Sequence, residues 1–354
     1  MAGERVRVGL IGCGKISKIH ATALAALEEA EFGACCDQDE ARARELAAAY
    51  GMPGVWSDAG DMIRSGTVDA VLVCTPHPAH EAVVVAAAEA GVHALCEKPI
   101  AADLLEADRM IAAANRAGIT FGVIFQRRFW PAAQRIRQAI DAGKIGVPIF
   151  GECSAQLWRS AEYYGADPWR GKWATEGGGV LMNQAVHAID SFLWFMGEPV
   201  EVFGRWATLR HGAYIDVEDT AVATVTFASG GLGIIQASST FQPDYGFRVS
   251  VHGDRGGTLS VWEKAEGTQG YNDVWNLPDE EPLRAAWELE EKDKPGFPGF
   301  HALQIHDFLR GILDDRPPAV TGEEGRKSLE VILANYESSR TGLPVRLPMA
   351  RTVT

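Results

Sequence analysis

Four short constellations in this sequence carry residue types that could do chemistry. The first, Gly12-Cys13-Gly14-Lys15-Ile16-Ser17, comes after the apolar run Val6 to Ile11 and opens a helical pattern. In that setting Gly12 permits a tight turn. Gly14 lets the backbone approach a pyrophosphate seated on the helix N-terminus, beside Lys15 and Ile16. Ser17 stands where a third glycine would keep helix and strand close, and it is small enough to serve. Asp37, at the end of the next strand-like run, lies where a carboxylate accepts hydrogen bonds from an adenosine ribose. It would repel a 2′-phosphate and Gln38 adds no compensating charge, so the pattern favours NAD over NADP. Asp37 and Asp39 also suit the turn and N-cap of the next helix, and Arg42 is near enough to swing toward a phosphate.

The second and third constellations each come after an apolar run, at the carboxyl end of a strand, where open α/β sheets bind ligands. Thr75-Pro76-His77-Pro78 with His80 is one; it also reads as a rigid strand-to-helix turn with solvent-facing histidines. Glu97-Lys98-Pro99 is the other. Pro99 restricts Lys98 to extended backbone, so the amine is aimed from a stiff support. Beside a positively charged nicotinamide the ammonium form is disfavoured, which brings proton transfer near neutral pH within reach. A lone lysine at a strand end is otherwise a solvated charge.

The fourth runs from Gly177-Gly178-Gly179 to Asp190. Three glycines lead into a helix on which Asn183, His187, Asp190 and Trp194 recur at i, i+4, i+7 and i+11, sharing one face. A polar stripe among Val, Leu, Ile, Phe and Met is costly to bury unless it lines a cleft. His187 can be a general base, Asn183 can orient it or a hydroxyl, and Asp190 can hold the ring or the helix. A satisfied structural histidine is the competing reading of this helix taken alone.

The elements that must position these residues fall into two halves. Candidate strands at 6–11, 32–36, 70–74, 93–96 and 119–123 alternate with helical patterns at 16–27, 39–50, 79–90 and 104–117. This order predicts a parallel sheet covered by helices on both faces. Gly51, Gly91 and Gly118 are placed as helix stops. After Phe125 come a helix at 131–142, a Trp- and Tyr-rich stretch and the helix at 179–196. Successive strands are expected at 200–209, 220–227, 231–240, 247–252 and 258–262, as in an antiparallel sheet. Helices at 301–313 and 323–340 close the chain. Residues 263–299, with four prolines and the charge run Glu290 to Lys294, read as a surface excursion. The expected division is 1–125 and 126–354, consistent with 354 residues at a typical domain size of about 150.

Composition excludes several classes of function. With 33 Lys and Arg against 47 Asp and Glu, the formal charge of −14 would repel nucleic-acid phosphates and anionic lipid. Arg127 and Arg128 are far short of a nucleic-acid footprint. The run Val6 to Ile11 is too short for a secretory leader, and no segment reaches membrane-spanning length. The six cysteines show no metal or redox spacing, so no metal is expected. They read as reduced core residues of a cytoplasmic protein.

In this order and spacing, the four motifs resemble the glucose-fructose oxidoreductase / inositol dehydrogenase / rhizopine-catabolism (Gfo/Idh/MocA) family over nearly the whole chain. Asp307-Phe308, Gly322-Glu323-Glu324-Gly325-Arg326 and Ser338-Ser339-Arg340-Thr341-Gly342 extend the likeness. The resemblance implies an α/β Rossmann domain followed by an α+β domain with a large, open, mostly antiparallel sheet, whose outer face often forms the oligomer contact of a homodimer or homotetramer. It implies oxidation of a secondary hydroxyl of a sugar, glycoside, anhydrosugar or inositol, by hydride transfer to the nicotinamide C4 of NAD. Lys98 and His187 are then the catalytic pair. Asn183 stands where many members have Asp, so a strict triad is not expected.

Thr75, Pro76, His80, Glu97, Lys98, Gln126, Trp169 and Arg170 join Gly12, Gly14, Lys15, Ile16 and Asp37 as cofactor contacts. The stretch Trp158-Arg159-Ser160-Ala161-Glu162-Tyr163-Tyr164 looks like the branch of scyllo-inositol, levoglucosan and glucoside 3-dehydrogenases. It adds Gln156, Arg159 and Tyr163 to Asn183, His187 and His301 as contacts to a small neutral carbohydrate or cyclitol. Two alternatives stay open: a redox-neutral, NAD-dependent glycoside-cleaving hydrolase, and a non-enzymatic sensor of similar fold.

Overall fold

The computed structural model describes residues 5–277 and 297–349. The chain forms two compact units, residues 1–126 with 298–326, and residues 127–297 with 327–354.

The first unit is built on six parallel strands: β1 (Val6–Ile11), β2 (Ala30–Cys36), β3 (Gly54–Trp56), β4 (Ala70–Val73), β5 (His93–Cys96) and β6 (Phe121–Val123), in the order β3-β2-β1-β4-β5-β6. The strands are short and apolar, and all four residues of β4 are buried, as a sheet covered on both faces requires. Strand order reverses between β1 and β4. The glycine loop and Thr75 lie just past the carboxyl ends of these two strands, at the switch point where such sheets bind ligands. Asp39, Asp58 and Asp103 cap the helices that begin after them through their side chains. The sequence reading missed β3 and the helix Ala59–Arg64, because three and six residues are too few to display a period.

The expected division near Phe125 is crossed again. Residues 298–326 return to the first unit, so the second is not an unbroken 126–354. The helix Phe297–Leu313 carries Ile305, Phe308 and Leu309 into the apolar cluster of Leu10, Leu72 and Leu95. Its Gln304 accepts from Phe125 N at 2.9 Å and donates to Val123 O at 2.7 Å. An amphipathic pattern says that a helix has a buried face, not which core receives it.

The second unit holds eight strands: β7 (Pro148–Gln156), β8 (Pro199–Ala207), β9 (Thr220–Phe227), β10 (Leu232–Ser238), β11 (Gly246–Gly253), β12 (Thr258–Glu263), β13 (Trp275–Asn276) and β14 (Val345–Arg346). Their order is β13-β12-β11-β7-β10-β9-β8-β14, antiparallel except where β7 runs parallel to β10. One face packs on the helix Val186–Met196. Gly151 makes this close approach possible, since a Cβ there would lie 2.6 Å from Met196 Sδ. The other face exposes Phe150, Phe203, Val222, Leu232 and Ile234.

The expected excursion at 263–299 begins differently. Trp262 bridges to Tyr271, and β13 pairs with β12 as an edge strand. The rest of it, 278–296, lies outside the described residues.

Candidate active site

In the first unit the glycine loop is shaped by two different demands. Gly12 has φ +92°, and a Cβ there would lie 2.7 Å from Cys74 O, so the turn and the end of β4 both require glycine. Gly14 has φ −80°, which any residue adopts, and a Cβ would meet nothing within 4 Å. Neither backbone nor packing asks for glycine at 14. The bare Cα instead leaves open space at the N-terminus of the helix Lys15–Leu24, where orphan N–H groups attract an anion. Lys15 is exposed and Ile16 half-buried on its first turn.

Asp37 forms the turn expected of it. Its carboxylate accepts from Cys13 N at 2.7 Å, bracing the glycine loop, and from Asp39 N at 2.9 Å, forming the turn into the next helix. A carboxylate offers about four acceptor sites, so capacity remains for a diol. Arg42 pairs with Asp39 at 3.3 Å.

Two further expected cofactor contacts carry buried polar atoms without a hydrogen-bond partner among the described residues: Thr75 Oγ1 and Gln126 Oε1. Buried polar atoms are rarely left so. Together with the open Gly14 position they fit a bound dinucleotide that supplies the missing partners. Pro76 is exposed beside Thr75.

His80 is a correction. It is fully buried, with Nε2 2.9 Å from Thr75 O and Nδ1 3.1 Å from Pro99 O and 3.3 Å from Ile100 O. Burial lowers its pKa against the pull of these carbonyls. The ring staples the Thr75 loop to the Pro99 loop and leaves no ring nitrogen facing solvent for a cofactor.

Glu97, Lys98 and Pro99 lie at the end of β5, with a cis bond between Lys98 and Pro99. Lys98 is half-buried, and its N–H donates to Glu97 Oε2 at 3.1 Å. Glu97 Oε1 meets His20 Nε2 at 2.6 Å. Burial opposes ionisation of this carboxyl, but the His20 hydrogen bond and the charges of His20, His301 and Lys98 outweigh it and hold its pKa at about 2.

His301 is the second correction. Expected along a substrate cleft, it is 1% exposed inside the first unit, its ring edge-on to His20 at 5.2 Å. His20, Glu97 and His301 bring ligand atoms within 4.8 Å of one another. The donor types suit a metal, and the 2.6 Å hydrogen bond between His20 and Glu97 also ties the segment carrying Lys98 to the helix Lys15–Leu24. Sequence reasoning missed it because 77 residues separate His20 from Glu97, and no spacing rule reaches that far.

In the second unit, the helix expected at 179–196 contains a π turn, Leu181–Ala185, before the α-helix Val186–Met196. The wider turn shifts the residues before it relative to those after it, so the i, i+4, i+7 stripe is not one straight row. His187 is buried just after this turn. Asp190 accepts two hydrogen bonds from Arg128, at 2.8 and 2.6 Å, in a buried pair, so it ties the helix to the turn that carries Arg128.

Asn183 Nδ2 donates to Glu176 Oε1 and lies 3.5 Å from the Tyr163 hydroxyl. Tyr163 also accepts from Gln184 Nε2 at 3.0 Å and from Arg170. Its ring is flanked by the guanidinium groups of Arg159 and Arg170, 4.9 and 4.5 Å from the centroid. Both cations have acidic partners, Glu266 for Arg159 and Asp167 for Arg170. The two cations of the cluster are thus compensated, and Glu176 adds a buried acid.

Trp169 stacks on Arg170 at 4.6 Å, which keeps both with Tyr163. Glu176 and Gln184 are additions that sequence reasoning did not select. The available signal was an acid directly before the three glycines and an amide next to Asn183. Gln156 is the third correction: it shares the face of β7 with Phe150, Glu152 and Ser154, opposite to the helix of His187, because strand side chains alternate.

Residues 6–125 match the family model described as an oxidoreductase family with an NAD-binding Rossmann fold, and residues 133–258 match the GFO/IDH/MocA C-terminal domain. Myo-inositol 2-dehydrogenase of Thermotoga maritima is 31% identical over 97% of this chain and 98% of its own. D-apiose dehydrogenase of Paraburkholderia graminis is 33% identical over 97% and 90%. Among solved structures, the WlbA dehydrogenase of Bordetella pertussis in complex with NADH and UDP-GlcNAcA superposes with a TM-score of 0.90 at 30% identity, covering 99% of this chain and all of the other.

Proposed function

Because the chain belongs to the GFO/IDH/MocA oxidoreductases and is an NAD-binding member of this sugar and inositol dehydrogenase family, we propose that it oxidises one secondary hydroxyl of a neutral polyhydroxylated ring. Sugars, glycosides, anhydrosugars and inositols form the substrate class, and the products are the ketone, NADH and a proton. The observation that carries this reading is the Tyr163 cluster. Asn183, Gln184 and Tyr163 present neutral hydrogen-bonding groups next to the helix of His187, and Arg159 and Arg170 are already compensated by acids. Such a set suits hydroxyls rather than a charged ligand. The relatives named for inositol and apiose act on molecules of this kind.

In this proposal Lys98 and His187 take the hydroxyl proton, and Asn183 and Tyr163 hold ring hydroxyls. Gly14, Thr75, Gln126 and Asp37 hold the dinucleotide. NAD, when bound, supplies the acceptor for the hydrogen and electron pair that leave the carbon. Glu97 keeps the segment of Lys98 in place through the His20 hydrogen bond. We further place the protein in the cytoplasm, a reading supported by six free, buried cysteines. No described helix is long and apolar enough to cross a membrane.

The test is NADH formation with a panel of inositols, glucosides and anhydrosugars. Lys98→Ala and His187→Ala should each lower turnover by about 10²–10⁴-fold while NADH still binds. No reduction of NAD by any panel member counts against the proposal. Release of free aglycone without net NADH would replace it with glycoside cleavage.

A further inference from the structure

The helical segment that carries Asn183 and His187 takes its cap from far along the chain. Gly179 N and Leu181 N donate to the two carboxylate oxygens of Glu218, at 2.7 and 2.9 Å, and Val180 N donates to the Glu218 carbonyl at 3.0 Å. One residue therefore satisfies three successive N–H groups that no helix can satisfy internally. Glu218 is fully buried just before β9, and the Tyr336 hydroxyl donates to its Oε1 at 2.9 Å.

Two of the three glycines before the helix are required by this contact. A Cβ on Gly178 would collide with the Tyr336 hydroxyl, and one on Gly179 with the Glu218 carbonyl. Burial pushes the Glu218 carboxyl up to about 7 against the pull of Leu181 N–H, the Tyr336 hydroxyl and Gly179 N–H, so keeping an acid here is costly. A local Ser or Asp cap would satisfy the same N–H groups more cheaply. What the distant cap adds is location: it ties the start of the helix to β9 and to the helix Gly322–Thr341, which carries Tyr336.

We propose that Glu218 is a positioning residue that sets where Asn183 and His187 stand, with Tyr336 holding its carboxylate in register. The inference rests on the reading of His187 as a proton-handling group. Glu218→Gln keeps the size, but its amide nitrogen cannot accept, so one backbone N–H loses its acceptor. Tyr336→Phe removes only the supporting donor.

Kinetics would be measured with a ring alcohol that the wild type oxidises. In parallel, the His187 imidazole resonance would be followed in histidine-labelled protein, assigned among the nine histidines with His187→Gln. For Glu218→Gln we expect kcat about 10–100-fold lower, KM within about threefold, and a shifted His187 resonance. Tyr336→Phe should move both readouts in the same direction by less. A folded Glu218→Gln protein with unchanged kcat and an unmoved resonance would overturn the proposal, leaving Glu218 a structural cap only. If Glu218→Gln does not fold, the same two readouts on Tyr336→Phe decide. If the wild type oxidises no panel member, the functional reading fails, and the resonance comparison alone decides the positioning.

Discussion

Gly12 and Gly14 stand two positions apart and are glycine for different reasons. At Gly12 the protein itself makes the demand, through φ +92° and the 2.7 Å approach of Cys74 O. At Gly14 the backbone is ordinary and the space beyond Cα is open, so the protein itself makes no such demand. The two substitutions should separate cleanly. Gly14→Ala should cost less than about 1 kcal/mol of stability and weaken NADH binding by about tenfold or more. Gly12→Ala should cost about 1–3 kcal/mol from strain alone. Urea unfolding and a fluorescence titration with NADH measure both, and a Gly14→Ala protein that binds NADH normally would remove this support for pyrophosphate seating. Asp37 shows the same economy, since one carboxylate braces the loop, forms a turn and retains acceptor capacity.

Among the elements, the helix Val186–Met196 is held by a buried acid at two points. Glu218 caps the segment before it, and Asp190 takes a two-point contact from Arg128, which lies in the turn Gln126–Phe129. Both partners of the second pair are almost wholly buried, at 6% and 1% side-chain exposure. Removing one leaves the other charged and desolvated. Asp190→Ala should therefore lower stability by about 3–5 kcal/mol, far more than loss of a surface pair, which is worth about 0–1 kcal/mol. A loss below about 1 kcal/mol in denaturant unfolding would mean that water reaches Arg128 and that the pair does not pin the helix. The π turn lies between the two anchors, and the side chain of Asn183 within it donates to Glu176 and lies 3.5 Å from the Tyr163 hydroxyl, contacts that helical periodicity alone does not give.

For the molecule as a whole, the outer face of the eight-stranded sheet leaves a group of large apolar side chains in contact with water. Phe150 pairs across strands with Leu232, and Ile234 with Thr224, which itself pairs with Phe203; Phe150, Leu232, Ile234 and Phe203 are all exposed. We propose this face as the contact of a homo-oligomer. Light scattering on the purified protein should give a dimer or tetramer, and Ile234→Glu with Val222→Glu should reduce it to a smaller species without unfolding; a monomeric wild type would sink the idea. The net charge of −14 is no obstacle to a neutral substrate. The sequence by itself determined that the glycine loop joins a strand to a helix, that Asp37 and Lys98 follow strand ends and that His187 stands on a helix, because turns, strand ends and helical stops are set by neighbours along the chain. It also exposed the family, since these motifs recur in fixed order. Only the tertiary structure decided that residues 298–326 return to the first unit, that His301 meets His20 and Glu97, that Gln156 faces away, and that Glu218 caps a helix 37 to 39 positions earlier. Those contacts join residues remote in sequence. Burial and side-chain direction select such partners, and neither leaves a local period or spacing to read.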